Sequence, residues 1–320
     1  MKRLCRSLMI IATAGLAAIA ASAQDSSKPI KILVGYAAGG TADLVARSAA
    51  EALKDILGRP VIVENRPGAG GRIAAVALKN APPDGDTLMV ASEAVAVLAA
   101  FTFKKLEYDT RKDFAPVAQL ATYPLVYSVP VALPVKTFPE YVAWLKANPS
   151  KANYAAISGG QTAFFATRVS RAIGIPMSYV PYGGGAPMFT DLLGGHVNGA
   201  VDSISQHVQA HRAGKLRILA TTGATRAPLT PEVPTFKELG YDLETSVYMA
   251  AFAPAGTPQA VVSKLSAAMV QAMATKDVQT RLGAAGLEAA GLPSEQLRKI
   301  VDDGFKKWGP FIQSTGYVPE

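Results

Sequence analysis

The sequence predicts an α/β protein of two lobes, each a mostly parallel sheet flanked by helices, with a ligand cleft between them. Three observations carry this. Strand-like and helix-like segments alternate twice along the chain, before and after a short apolar strand at 125–129. Loops rich in glycine or hydroxyl residues follow the strands in both halves. And 320 residues with 49% apolar and 18% charged composition are enough for two cores of ordinary size.

The first unit sets the pattern. Ile30 to Val34 is a branched apolar run, a buried strand. Gly35, Gly39 and Gly40 then interrupt it, as a loop of close backbone approach would. A helix follows over 42–57, with Thr41 or Asp43 available to cap it and Leu44, Ala49, Ala52, Leu53, Ile56 and Leu57 as its apolar stripe. Gly58 and Pro60 end it. Strand, small-residue loop and helix N-terminus together make an anion cradle, because exposed N–H groups and the positive end of the helix point the same way. An ordinary βα turn is the plainer reading of the same residues.

Strand 61–64 leads through Gly68–Gly71 into a helix near 72–80, and Pro82-Pro83-Asp84-Gly85 turns into strand 87–91. Ser92-Glu93 opens another small-residue helix. Alternation of this kind implies parallel strands whose loops at 35–41, 65–71 and 91–94 open on one edge, where ligands bind such sheets. Residues 101–116 read as a connection with little regular structure, and the strand Leu125 to Val129 lies between two prolines.

The second unit begins with Thr137-Phe-Pro-Glu140, a capping box opening a helix that ends at Asn148-Pro149. Strand 153–157 runs into Ser158-Gly159-Gly160-Gln161-Thr162 and a helix ending at Gly174. Strand 177–180 runs into Gly183-Gly184-Gly185 and a helix ending at Gly194. Strand 197–201 meets Asp202-Ser203, and strand 216–220 closes the set. Residues 223–235 wrap the surface, Val247 to Ala253 is a buried strand, and the remainder is helical with breaks near Gly286 and Gly291-Leu-Pro293. The strands near 125–129 and 247–253 are the candidate crossings, so that 24–124 with 251–320 form one lobe and 125–250 the other.

The N-terminus reads as an address. Met-Lys-Arg-Leu-Cys-Arg is basic, Leu8 to Ala21 is apolar, and Ala21-Ser22-Ala23 suits cleavage before Gln24. Residues 1–23 are therefore expected to be a cleaved signal peptide, and the mature protein to be periplasmic. Cys5, the single cysteine, goes with it. The formal charge of +8 also loses Lys2, Arg3 and Arg6 and becomes +5. A mild positive excess suits a small anion. No basic run or aromatic ladder points to nucleic acid.

No stretch of the chain frames a catalytic set. His207 and His211 share an i, i+4 spacing that could hold a metal, but no cysteine or metalloprotease motif accompanies them, and a solvated helix face is the simpler reading. No G-x-S-x-G elbow frames Ser92, Ser158 or Ser203. Gly68-Ala-Gly70-Gly71 departs from a dinucleotide fingerprint at Ile73. The expectation is a binding protein without cofactor or metal, not an enzyme.

The loop at 35–43 resembles the first binding loop of the tripartite tricarboxylate transporter receptors, the Bug-type periplasmic solute receptors. Further matches come in the family's order: Val63 to Gly71, Pro83 to Leu88, Tyr108-Asp109 with Lys112 to Val117, Val180 to Gly184, Asp191 to Val197, Ala213 to Arg217, Val233-Pro234-Thr235 and Phe252 to Pro258. They span nearly all of the mature chain. The resemblance implies a periplasmic-binding-protein-like fold of type II that closes like a flytrap on a small organic carboxylate (a di-, tri-, amino or aromatic acid) and hands it to integral-membrane transporter subunits. It also implies a monomer. Carried over by position, Tyr36, Ala38, Gly39, Gly40, Thr41 and Asp43 would hold one carboxylate together with Ser158, Gly160, Gln161 and Thr162. Ser92, Asp202 and Ser203 would line the remainder, and Glu93, which departs from the family's pattern, is a further candidate beside Ser92. Phe164 and Ala96 stand where the family commonly has histidine, which either makes the rim less polar or places both in a helix core. A periplasmic hydrolase, or a sensor that docks on a signalling partner, are the competing classes.

Glu93 departs from the small or hydroxyl residues usual in its loop. A carboxylate beside a bound carboxylate would repel it by about 4 kcal/mol at roughly 4 Å in an effective dielectric near 20. Three placements avoid this: out to solvent, paired with Arg66 or Arg72, or against a cationic group of a zwitterionic ligand.

Overall fold

The computed structural model describes residues 28–319, so the expected signal peptide at 1–23 lies outside the described residues. The chain opens with β1 (Ile30–Val34), α1 (Thr41–Leu57), β2 (Val61–Asn65), α2 (Arg72–Lys79) and β3 (Thr87–Ser92). β1 pairs in parallel with β2 and β3, Ile32 lying between Val63 and Leu88. Both faces of β1 are covered, which is why four of its five residues are buried. α1 buries Val45, Ala46, Ala49, Ala50 and Leu53, while Leu44, Ile56 and Leu57 are only partly covered. The buried stripe thus turns toward the small side chains, and these let the helix lie close to the sheet. Gly35 meets the second loop: a Cβ there would sit 2.5 Å from Gly71 Cα.

A wide helical turn over Ala94–Leu98 runs into α3 (Ala99–Thr102), and α4 (Thr110–Asp113) precedes β4 (Phe114–Pro130). β4 is far longer than the strand expected at 125–129. Pro116 sits next to a bulge between Pro116 and Ala118, and Pro124 pairs with Ser246. The prolines that suggest a break are absorbed at an irregular register and at the change of sheet.

The second unit follows as α5 (Phe138–Ala147), β5 (Asn153–Ile157), α6 (Gln161–Ile173), β6 (Ser178–Tyr182), α7 (Gly185–Leu193), β7 (Ala200–Ser203), α8 (Ile204–Arg212) and β8 (Leu216–Thr221). β5 pairs in parallel with β6 and β7, whereas β7 and β8 both pair antiparallel with the second half of β4. Thr137 caps α5 by accepting from the Glu140 N–H, and the Glu140 carboxylate reaches back to the Lys136 N–H. The core of this half is aromatic: Phe138 meets Phe236 edge-to-face at 5.0 Å and Tyr127 at 5.7 Å.

β9 (Ser246–Pro254) returns between β3 and β4, antiparallel to both. α9 (Gln259–Met273), α10 (Lys276–Gly283), β10 (Glu288–Pro293) and α11 (Ser294–Ser314) complete the chain. β10 is an edge strand on β4, in a stretch that reads as helical. Both sheets are parallel on their outer side and antiparallel around the crossing strands. At the crossing, fully buried Thr222 joins three segments: its hydroxyl accepts from the Leu125 N–H at 2.9 Å and donates to the Thr245 carbonyl at 2.6 Å.

Candidate functional site

Two helix N-termini define the site. α1 begins after Gly40 and α6 after Gly160, both with extended backbone, and no side chain caps either one. First-turn N–H groups are thus left to other partners at both ends. Asp43, which the sequence offers as a cap, instead braces the loop from within. Its Oδ2 accepts from the Gly39 N–H and Arg47 Nε, each at 2.9 Å, and its Oδ1 from Asn65 Nδ2 at 2.9 Å. Burial alone would raise this carboxyl, but the bonds from Arg47, Gly39 and Asn65 outweigh it and hold the group below its ordinary value. Ala38 and Gly39 stand exposed on the same loop.

The loops of the two halves meet. Thr41 Oγ1 lies 2.8 Å from Ser205 Oγ and donates to Ser203 Oγ at 3.4 Å, and Ser203 Oγ caps α8. Tyr36 Oη lies 3.4 Å from Ser92 Oγ, with its phenol raised by burial against that bond. In the opposite loop the Ile157 N–H donates to Thr162 Oγ1 at 3.0 Å, and the Ser158 N–H to the Tyr182 carbonyl. Hydroxyls and two helix N-termini without side-chain caps around this seam suit an anion held by hydrogen bonds.

Glu93 takes neither of the first two placements set out above, solvent or an arginine partner. It is 8% exposed, and Arg66 and Arg72 engage Glu64 and the Ala69 carbonyl instead. Its Oε1 accepts from Trp308 Nε1 at 2.8 Å and its Oε2 from Gln161 Nε2. Burial pushes the carboxyl up to about 7, opposed by the Trp308 bond and by Lys307. Gln161 is thereby directed at a protein carboxyl. Phe164, one turn along α6, packs on Trp308 and Tyr317, and Ala96 is buried in the turn after β3.

Asp202 lies beneath Ser203. Its Oδ1 accepts from the Ser203 N–H at 2.8 Å, while its buried Oδ2 has no hydrogen-bond partner. Burial raises it to about 7. His207 Nε2 is 3.8 Å from that oxygen, and His207 Nδ1 is 2.8 Å from Ser128 Oγ. The order Ser–His–Asp invites comparison with a hydrolase. Ser128 and His207 are wholly buried, however, and Phe189 lies against the imidazole, so the hydroxyl is not presented to a substrate. Burial also pushes His207 down to about 3, which keeps it neutral. The expected solvated face of α8 is therefore wrong for His207; His211 is partly exposed and bonded to Glu232.

Ser205, Tyr123 and Trp308 lie against these residues and escape sequence reading. Burial raises the Tyr123 phenol well above its ordinary value, and the nearby Tyr36, Asp202 and Glu93 raise it further. Ser205 could be found from the Ser-x-Ser spacing at a strand end; Trp308 lies 215 positions from Glu93 and leaves no local signal. Among the described residues, no group of acidic, histidine or cysteine side chains could hold a metal ion, and no helix is long and apolar enough to cross a membrane.

Residues 45–317 match the model of the tripartite tricarboxylate transporter family receptor. The chain is 31% identical to Protein BugT of Bordetella pertussis over 311 residues, 96% of this chain and 95% of that one. It is similar in structure to MatC of Rhodopseudomonas palustris with bound malate (TM-score 0.81, 31% identity, 89% of this chain and 98% of that one). Rpa4515 of the same organism, with adipate, superposes at a TM-score of 0.86 and 27% identity over 91% and 98% of the two chains. Fold, loop order and sequence agree, and the chain belongs to the tripartite tricarboxylate transporter receptor family, the Bug-type periplasmic solute receptors.

Proposed function

We propose that this receptor closes its two lobes on a small organic carboxylate, with dicarboxylates such as malate and adipate as the leading class, and delivers it to integral-membrane transporter subunits. The observation that carries this is the pair of helix N-termini, α1 and α6, left without side-chain caps on either side of the seam. Each charge-assisted hydrogen bond to a carboxylate contributes roughly 1.5–3 kcal/mol. Micromolar affinity needs about 8 kcal/mol in all. A few convergent amides and hydroxyls therefore suffice, less what closure consumes. The acids bound by MatC and Rpa4515 support the same class.

In this reading Tyr36, Ala38, Gly39, Gly40 and Thr41 face Ser158, Gly160, Gln161 and Thr162 across the ligand, with Ser92, Asp202 and Ser203 lining the rest. Asp43 holds the first loop in shape, and Glu93 orders Gln161. The lobes are 24–124 with 251–320, and 125–250. In support, β4 pairs with β9 as far as Pro124 and with β7 and β8 from Leu125 onward.

The test is a thermal-shift panel of malate, adipate, citrate, amino acids and aromatic acids. An acid at one hundred times its dissociation constant adds about 2.7 kcal/mol, a readable shift. Stabilisation by a dicarboxylate without chemical change is the expected result. Steady conversion of the stabilising acid into product overturns the reading.

A further inference from the structure

Glu93 occupies an unusual position for an acid. It sits on the turn after β3, in the first half of the fold, yet one of its two oxygens is held by Gln161 at the start of α6, in the second. The other is held by Trp308 of α11. Phe164 seals the same contact from the α6 side by packing on Trp308 and Tyr317, and Arg171 Nη2 donates to the Ser314 carbonyl beyond it. The burial of Glu93 is thus a property of the two halves being together. Separation withdraws Gln161 and Phe164 and opens that side of the carboxyl to water, while the Trp308 bond stays with the first half.

We propose that Glu93 is a proton-binding site coupled to ligand capture, so that the receptor takes up a proton as its lobes close on a carboxylate. The inference rests on the receptor reading above.

Three features of the surroundings bear on the charge of the acid in the closed form, where burial favours the neutral acid and the Trp308 bond and Lys307 oppose it. The side chains facing Glu93 are Trp308, Gln161 and the phenols of Tyr123 and Tyr248, all uncharged; burial and the Glu93 charge keep both phenols protonated. Lys307 is the cation that acts on it among the described residues, and its ammonium lies 5.5 Å over the indole of Trp308. Second, Gln161 can serve either state. Its amide donates to an ionised Oε2, and a half-turn presents Oε1 to accept from a protonated one. Third, Glu93 adjoins Ser92, and Gln161 lies in the loop opposite, so a captured carboxylate adds negative charge nearby, which favours the neutral acid further.

The sign follows from these values. Glu93 titrates near 7 when buried, against an ordinary 4.5 when exposed. Closure therefore binds a proton between these limits, and affinity rises as pH falls through 7. By linkage the gain is about thirtyfold from pH 8 to pH 5.5, with about 0.9 proton taken up per ligand at pH 6 and about 0.1 at pH 8.

Isothermal titration calorimetry tests this with adipate or malate, whichever raises the melting temperature more, at pH 6 and pH 8 in buffers of different ionisation enthalpy. The ligand's own titration is common to all variants and cancels in differences. Wild type is expected to take up close to one proton more than Glu93→Gln at pH 6. Trp308→Phe removes a donor to the ionised acid and should move the midpoint of the affinity profile to higher pH. Equal proton uptake in wild type and Glu93→Gln, or an unmoved midpoint in Trp308→Phe, overturns the proposal while leaving the receptor reading intact. Failure of both acids to bind overturns the dicarboxylate reading and this inference with it.

Discussion

Asp43 and Asp202 carry the same side chain in opposite surroundings, and the difference is measurable. Asp43 accepts from three donors and sits below its ordinary 3.8. Its contribution to stability is present above that value and is lost as pH falls through the lowered one. Asp43→Ala should reduce stability by about 1–3 kcal/mol in urea unfolding at pH 7, because the Gly39 N–H and Asn65 amide lose their acceptor. Asp202 has one partner and sits near 7. Its contribution is fully present below about 4 and is lost as pH rises through 7, so ligand-free protein should weaken by on the order of 3 kcal/mol between pH 5 and pH 8. Asp202→Asn should flatten that limb; an unchanged slope would show that another group carries it. The sequence places both aspartates at strand or helix ends, which identifies them as candidates. It does not say how many donors each meets, since Asn65 and Arg47 reach Asp43 only through the fold.

The elements were legible where apolar runs are bounded by glycine, as at β1–α1 and β5–α6, and where a capping box opens α5. They were not legible at β4 and β10. Pro116, Pro124 and Pro293 are local signals against a strand, and the bulges and sheet change that accommodate them arise from long-range pairing. The crossing itself depends on Thr222, whose hydroxyl serves one backbone donor and one acceptor from two other segments. Thr222→Val keeps the shape and leaves the buried Leu125 N–H without that acceptor. A loss of about 1–3 kcal/mol in denaturant unfolding is expected. A loss below about 0.5 kcal/mol would mean that the crossing is held by its strands alone.

At the scale of the molecule, the contacts of Thr41 with Ser203 and Ser205, and of Glu93 with Gln161, describe a closed arrangement. Two lobes joined by narrow crossings move as a hinge. Small-angle scattering should therefore give a smaller radius of gyration with saturating dicarboxylate than without it. Identical profiles would argue for a rigid pocket. The cleft was legible because glycine-rich loops recur at strand ends in both halves. The seam that closes it was not, because α11 returns from the far end of the chain to supply Trp308.

That return has an optical consequence. The protein contains two tryptophans. Trp144 is half-buried on α5, stacked against Tyr141 within the second half. Trp308 is buried under Phe164 at the seam, its indole N–H bonded to a carboxyl whose charge depends on closure. One indole thus reports on the hinge and the other serves as an internal reference. Emission from Trp308 should move to longer wavelength when the lobes part, and Trp144→Phe should isolate that signal, so that opening can be timed in stopped flow with no label attached.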